Sequence, residues 1–175
     1  MIHQATQWLK SILTGPAVGL PAGVVFESED ELQQHKRPPY AAIIIDEDER
    51  YQRVDRKDSY ADYPEQNKRV YTIEALRAVL PVSVLLVEQD RPGLEELRRK
   101  FLAALPLRMK DAQGFDVGVT PRAGSLLEDR SVQRKGVAID ILIEFDAGIY
   151  RTEETPLFTQ FETEVVIEKP GSEEV

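Results

Sequence analysis

The chain has 175 residues, 42% of them hydrophobic and 30% charged; this suits one folded domain, and no apolar run approaches the roughly 20 residues of a membrane span. Because the chain contains no cysteine, disulfides, thiolate metal sites and thiol nucleophiles are excluded. Thirty-one acidic and twenty-two basic residues give a net charge of -9, which argues against a general nucleic-acid binder.

The first predicted elements are a helix and two strands. Apolar residues at three- and four-residue spacings predict an amphipathic helix over residues 2–13, which Gly15-Pro16 ends. We expect no signal peptide, because no basic stretch leads into an apolar run here. A short strand is predicted over 23–26. A clearer strand is predicted over 40–45, where continuous apolar character indicates burial on both faces, or contact with a partner subunit on one of them.

Residues 46–69 are predicted to be a long charged loop or arm. They carry eight acidic and six basic residues and show neither a helical nor a strand period. A structureless connection of this length is unusual in a compact domain, so we expect the segment to have a function. Tyr51, Tyr60 and Tyr63 are candidates for a subunit or partner interface, where tyrosine is a frequent anchor. Stacking on nucleobases and a mobile arm without a role are the alternatives.

The middle of the chain contains a strand followed by a helix. Residues 70–80 fit either a helix or a strand, whereas 82–88 are predicted as a strand. Asp90 is a candidate N-cap for a helix over 91–105, which ends before Pro106 and shows the clearest apolar stripe in the chain.

The remaining predicted elements are strands. A strand over 115–119 is followed by a polar loop over 122–135. Over residues 136–146 a large apolar side chain occupies every second position, which predicts a strand with one face in the core.

Alternation of apolar with acidic residues predicts a last strand over 157–168, at an edge of the sheet. Phe158, Phe161 and Val165 in this strand are candidates for a subunit or partner interface. The order of elements predicts an α+β fold, with a mainly antiparallel sheet and an N-terminal and a central helix packed on one face. We expect a single domain over 1–175, with the arm at 46–69 and a C-terminal strand extension at 155–169.

The sequence offers little for catalysis. Asp46, Asp48 and Glu49 follow a buried strand and could bind Mg²⁺ in a nuclease or phosphatase, but a solvated acidic loop is the interpretation we favour. His3 and His35 lack acid–base or metal-ligand spacing. No nucleophile elbow, Ser-x-x-Lys or phosphate-binding loop occurs. We therefore predict no enzyme activity, no catalytic residue, no cofactor and no metal site.

The order of elements resembles the tail-terminator, or tail-completion, proteins of long-tailed bacteriophages. The similar parts are the N-terminal helix, the strand 39–45 (PYAAIII), the unit 80–87 (LPVSVLLV) leading into the helix 91–105, and the strand 138–145 (AIDILIEF) running on to residues 148–150. The resemblance does not include the arm at 46–69 or the last strand.

This resemblance implies a structural virion protein in the tail or neck, assembled in the host cytoplasm. Such a protein forms a homo-oligomer, a hexameric ring that caps the tail tube protein, stops its polymerisation and provides the interface for head-tail joining with connector or neck proteins. DNA passes through the lumen without specific binding, and no membrane is involved. Another neck, connector or baseplate subunit is the alternative, ahead of a metal-dependent nuclease.

Overall fold

The computed structural model of this chain describes residues 2–28, 37–45, 49–127 and 136–157. Strands predominate in this part of the chain, which also contains two α-helices and two 3-10 turns, Ala22–Val24 and Pro64–Gln66. In chain order the helices and strands are α1 (Ile2–Thr14), β1 (Val25–Phe26), β2 (Tyr40–Ile45), β3 (Arg50–Tyr63), β4 (Lys68–Glu88), α2 (Arg91–Ala104), β5 (Arg108–Lys110), β6 (Asp116–Leu127) and β7 (Val137–Pro156).

The seven described strands form one mixed sheet in the order β1-β2-β4-β7-β6-β5, with β3 also paired to β4. β1 and β2 are parallel, and the other described pairs are antiparallel. One edge of β4 pairs with β7 along its whole length. Its other edge pairs with β3 over residues 68–79 and with β2 over residues 82–87. At about 3.3 Å per residue, β4 and β7 are about 65 to 70 Å long and run through the whole sheet.

Both helices contribute to the main hydrophobic core. Leu9 of α1 and Phe101 of α2 lie in one buried cluster with Val82, Ile141 and Phe145 of the central strands. The N-terminus of α2 is capped as the sequence predicts, because the Asp90 carboxylate accepts the Gly93 N–H at 2.8 Å. No described helix is both long and apolar enough to cross a bilayer.

The opposite face of the sheet carries a second, smaller buried cluster. Its buried members are Tyr40, Ala42, Leu85, Val87 and Ala138, which come from β2, β4 and β7. The continuous apolar run 40–45 is therefore buried on both faces over its first part, and the prediction of burial on both faces is confirmed there.

Residues 46–69 are predicted to be a loop or arm without regular structure, and the absence of regular structure is wrong for most of the segment. Residues 50–63 form β3, and β4 begins at Lys68 after a turn in which Asn67 adopts a left-handed conformation with φ of 47°. The side chains of β3 are polar on both faces, so hydropathy does not alternate along it. Backbone pairing with β4, which sequence patterns do not show, makes it a strand.

Other boundaries also differ from the predictions. β6 continues to Leu127, well into the polar segment predicted as a loop, because its backbone pairs with β7. Residues 23–24 lie in a 3-10 turn, and only Val25–Phe26 form the first strand. Thr155 and Pro156 are the end of β7, whereas 158–168 lie outside the described residues.

Candidate functional site

Three strands continue beyond the core and form an exposed projection that is larger than the predicted segment 46–69. From here on, the arm means residues 50–77, which comprise β3, the turn after it and the first part of β4, together with residues 148–156 of β7. Every residue of β3 is exposed except the half-buried Val54. Most of β7 beyond Gly148 is exposed as well. The arm extends about 30 Å past the last buried core pair, Ala78 and Ala147.

The tip of the arm presents tyrosine rings next to cations. Tyr60 is 62% exposed, contacts the Tyr71 ring at 6.1 Å and has the Arg69 guanidinium 4.5 Å from its ring centre. Tyr63 is 44% exposed, with the Lys68 ammonium 5.7 Å from its ring centre. The register places Tyr60 opposite Tyr71 and Tyr63 opposite Lys68, so the two tyrosines lie on opposite faces. Both faces of the tip therefore offer an aromatic surface.

Charges along the arm are matched within it. Arg69 makes two hydrogen bonds to the Asp62 carboxylate, at 2.5 and 2.9 Å, which lower the pKa of Asp62. Arg53 hydrogen-bonds Asp55, and that bond, helped by the charge of Arg151, lowers the pKa of Asp55. With eight basic and seven acidic residues, the arm is nearly neutral in a chain of net charge -9.

A buried carboxylate joins the arm to the core. Glu74 is 1% exposed; one of its oxygens accepts from Arg56 at 2.8 Å, and the other accepts twice from Arg77, at 2.8 and 3.0 Å. The pairing of β4 with β7 shifts register immediately after Glu74. Burial, and secondarily the charge of Glu74, raises the pKa of Tyr150 on the facing strand. This cluster fixes the strands at the base of the arm.

A cleft of about 520 Å³ lies between the base of the arm and the start of α1. Tyr51 donates a hydrogen bond from its hydroxyl to Glu49 at 2.8 Å, and this bond raises the pKa of Tyr51. On the other side, Phe115 stacks on Tyr150 with ring centres 4.0 Å apart. The described residues include no group of three or more His, Cys, Asp or Glu placed to hold a metal ion. The cleft is therefore lined by carboxylates and aromatic rings, which suit a hydrogen-bond donor of a binding partner.

The structure separates the predicted interface residues into two places. Tyr51 lines the cleft, whereas Tyr60 and Tyr63 lie at the tip, about 30 Å further along β3. Phe158, Phe161 and Val165 lie outside the described residues.

The acidic residues of the metal hypothesis are only partly described. Asp46, Glu47 and Asp48 lie outside the described residues, and Glu49 accepts the Tyr51 hydroxyl. His3 is exposed on α1, and His35 also lies outside the described part.

Sequence reasoning missed the Glu74 cluster. The available signal was a single acidic residue, Glu74, within the mainly apolar stretch 70–80. A carboxylate in such a stretch is buried only with partners. Its partner Arg56 lies 18 residues away, so only the strand register brings the two together.

Searches with this chain matched neither a protein-family model nor a curated protein sequence.

Proposed function

We propose that this chain is a structural subunit that assembles with copies of itself into a ring, and that its arm seats on the neighbouring subunit. The observation that carries the proposal is the exposure of the arm along β3 and at both faces of its tip. A narrow sheet that extends away from the core gains little stability by itself. A neighbouring subunit that covers the arm supplies the missing contacts.

The composition of the arm supports a protein partner. Tyrosine and arginine dominate the binding energy of protein interfaces, and Tyr60, Tyr63 and Arg69 lie together at the tip. The near-neutral arm also lets one copy approach another without adding to the repulsion between chains of net charge -9. The arm of one chain would bind a different surface on the next identical chain. A contact of this kind can repeat around an axis and close into a ring.

Ion pairs fix the strands at the base of the arm, which favours docking of the arm on a neighbouring subunit. Glu74, Arg56 and Arg77 hold β3 and β4 together where the arm leaves the core. An arm that is ordered before binding loses less conformational entropy when it docks.

The resemblance to tail terminators makes the proposal more specific. The ring would be a hexamer of α+β subunits, each with a mainly antiparallel sheet and both helices on one face. It would cap the tail tube, stop its polymerisation and provide the head-tail joining surface. The net charge of -9 suits a lumen that DNA passes without specific binding. A neck, connector or baseplate subunit could use the same arm; the position of the protein in isolated virions, seen by electron microscopy, separates these roles.

The test is a pair of double variants in the full chain. Replacing Tyr60 and Tyr63 by alanine removes both rings and should abolish the ring assembly seen by native mass spectrometry, with the melting temperature little changed because both residues are exposed. Replacing both by phenylalanine keeps the rings and should keep assembly. A wild-type chain that stays monomeric and does not cap tail tubes in electron micrographs would overturn the proposal, as would normal assembly of the alanine variant.

A further inference from the structure

One edge of the sheet is open beside α2. β5 pairs with β6 only over residues 116–118, and the Val119 N–H then donates to Leu107 O at 3.0 Å. Beyond that point, no described strand pairs with the outer edge of residues 120–127. Residues 120–126 are all exposed. An unpaired strand edge of about 25 Å is a template for another strand.

An apolar groove runs along this edge, between β6 and α2. It consists of two adjoining hollows of about 150 and 260 Å³, which share Arg98 and Ile139. Its floor is apolar, with Leu94, Leu102, Leu126, Ile139 and Ile141. Leu126 remains 54% exposed and Leu102 37% exposed. A Cβ at Gly124 would lie 3.3 Å from Ile139 Cδ1, so the glycine keeps the floor open. The groove has room for side chains of an added strand.

The rim of the groove is basic. Arg91 and Arg98 project from α2 and make no ion pair with any described residue. Arg122 on β6 also lines the groove and pairs with Glu144 at 2.6 Å, while Glu95 is a carboxylate on the rim. The surplus of arginine favours an acidic occupant.

We propose that this groove and the open edge of β6 bind residues 158–168 of a second copy of the chain, added as a strand. Phe161, Val165 and Ile167 alternate with Glu162 and Glu164 in this segment. The alternation matches a strand whose apolar face covers the groove floor and whose glutamates face away from α2. The negative charge of the segment as a whole suits a surface with a surplus of arginine. Eleven residues are long enough to cover the eight open positions of β6.

The segment must come from a second copy. Leu157 lies at the tip of the arm, where its N–H donates to Asn67 O at 3.0 Å. The near end of the open edge, Thr120, pairs with Glu144, which is about 40 Å from Pro156 along β7. The chain from Leu157 to Phe161 spans at most about 14 Å, so Phe161 cannot reach the groove of its own chain.

This contact deepens the proposed self-assembly and rests on it. The segment 158–168 starts at the tip of the arm, and the groove lies on the core, so the contact joins unlike surfaces. Repetition of such a contact gives a ring or a filament.

The test uses full-length chains with one half of the contact removed. A tail variant carries Phe161→Asp and Val165→Asp, and a groove variant carries Arg98→Glu and Leu126→Asp. A control variant carries Arg99→Glu, whose arginine pairs with Glu96 on the same helix, and Leu107→Asp, whose leucine is 83% exposed. Circular dichroism checks that each variant melts as the wild type does.

We expect a one-to-one heterodimer in native mass spectrometry when the tail and groove variants are mixed, because one supplies an intact groove and the other an intact segment. A labelled peptide of residues 158–168 should bind the tail variant in fluorescence anisotropy. Adding the groove changes to the tail variant should weaken peptide binding by about tenfold or more, and adding the control changes should leave it within about twofold.

No peptide binding, or equal binding to the groove and control versions, would overturn the inference. If the edge of β6 accepts only a strand from a different protein, the peptide will not bind. The peptide assay is independent of ring formation, because the chain with alanine at Tyr60 and Tyr63 keeps the groove and should still bind the peptide. Failure of the arm contact and failure of the groove contact are therefore distinguishable.

Discussion

At the scale of single residues, the junction between core and arm depends on one buried carboxylate. Glu74 is 1% exposed, whereas its partners Arg56 and Arg77 have side chains that are 61% and 39% exposed. A buried charge without such donors costs several kcal/mol, so the two arginines are what allows a glutamate at this position. Removal of the carboxylate leaves arginines that water can still solvate, which limits the loss.

We expect Glu74→Gln to lower the free energy of unfolding by about 2 kcal/mol, because the charged hydrogen bonds to both arginines weaken while the volume is kept. Urea unfolding measures the change. Glu154→Gln is the matched control on the same sheet. Its carboxylate is 61% exposed and bonds Lys68, so we expect a loss of about 0.5 kcal/mol or less. Equal effects of the two changes would contradict the structural role of Glu74.

A second single-residue prediction concerns Gly136, just before β7. Its φ is 137°, and an added Cβ would lie 2.1 Å from the backbone oxygen of Glu88. Gly136→Ala should therefore destabilise the fold by about 2 kcal/mol or more. Gly23 has no atom within 4 Å of an added Cβ, so Gly23→Ala should change stability by less than about 1 kcal/mol. Thermal melts of both variants test the difference.

At the scale of elements, strand pairing overrides local pattern in the arm. Hydropathy along residues 70–80 fits a helix as well as a strand, yet β4 is a strand because β3 and β7 pair with its two edges. For α2 the local signals and the structure agree. The Asp90 cap and the buried Leu94, Leu97 and Phe101 are all visible in the sequence.

The cap of α2 can be tested directly. Asp90→Ala removes the acceptor for the Gly93 N–H and should cost about 1 kcal/mol in the free energy of unfolding. Asp90→Asn retains a side-chain oxygen and should cost clearly less. Chemical denaturation of the two variants measures both values, and a similar loss in both would mean that the charge, rather than the cap hydrogen bond, matters.

Ion pairs make the sheet sensitive to acid. Hydrogen bonds from Arg122, with the charges of Arg122 and Arg50, lower the pKa of Glu144, and hydrogen bonds from arginine lower the pKa of Asp55 and Asp62. A carboxyl whose folded pKa lies below its unfolded value stabilises the fold above the unfolded pKa. That contribution is lost as the pH falls through the folded pKa.

We therefore expect the urea midpoint to fall as the pH is lowered below about 4.5, the ordinary pKa of Glu144. Glu144→Gln removes one of these carboxyls and should make the fall shallower while lowering stability at neutral pH. A midpoint that rises on acidification, or an unchanged slope in the variant, would contradict the role of Glu144.

At the scale of the whole molecule, the chain divides into a core covered by two helices and an arm without such a cover. The buried side chains lie mostly in the core, whereas β3 buries none of its own. Regions with few buried contacts open at lower free energy than the core does. We therefore expect the arm to open at a lower free energy than the core of the described chain.

Hydrogen exchange should show this division. In the isolated chain, amides of β3 should exchange well before those of residues 82–87 in the core of β4. In the proposed ring, protection should rise along β3 and at the tip, because the proposal places a neighbouring subunit over these strands. Exchange of β3 that is the same in the monomer and in the ring would mean that the arm is not the subunit contact.

The sequence by itself determined α1, α2 and its cap, and the strand beginning at Val137, since each leaves a period in hydropathy. It also determined the strand at 40–45, because a short continuous apolar run is typical of a strand buried on both faces. It also singled out Tyr60 and Tyr63, because their residue type is informative. Only the tertiary structure decided that β3 is a strand, since a strand with both faces in water has no hydropathy period.

The Glu74 cluster and the groove beside β6 likewise came from the tertiary structure alone. Strand register brings Arg56 to Glu74 across 18 residues, and the packing of α2 against the sheet leaves the groove open next to Leu126. Hydropathy patterns indicate which side chains of a segment face water and which face the core. They do not report which distant segment lies beside it, and both sites depend on that pairing.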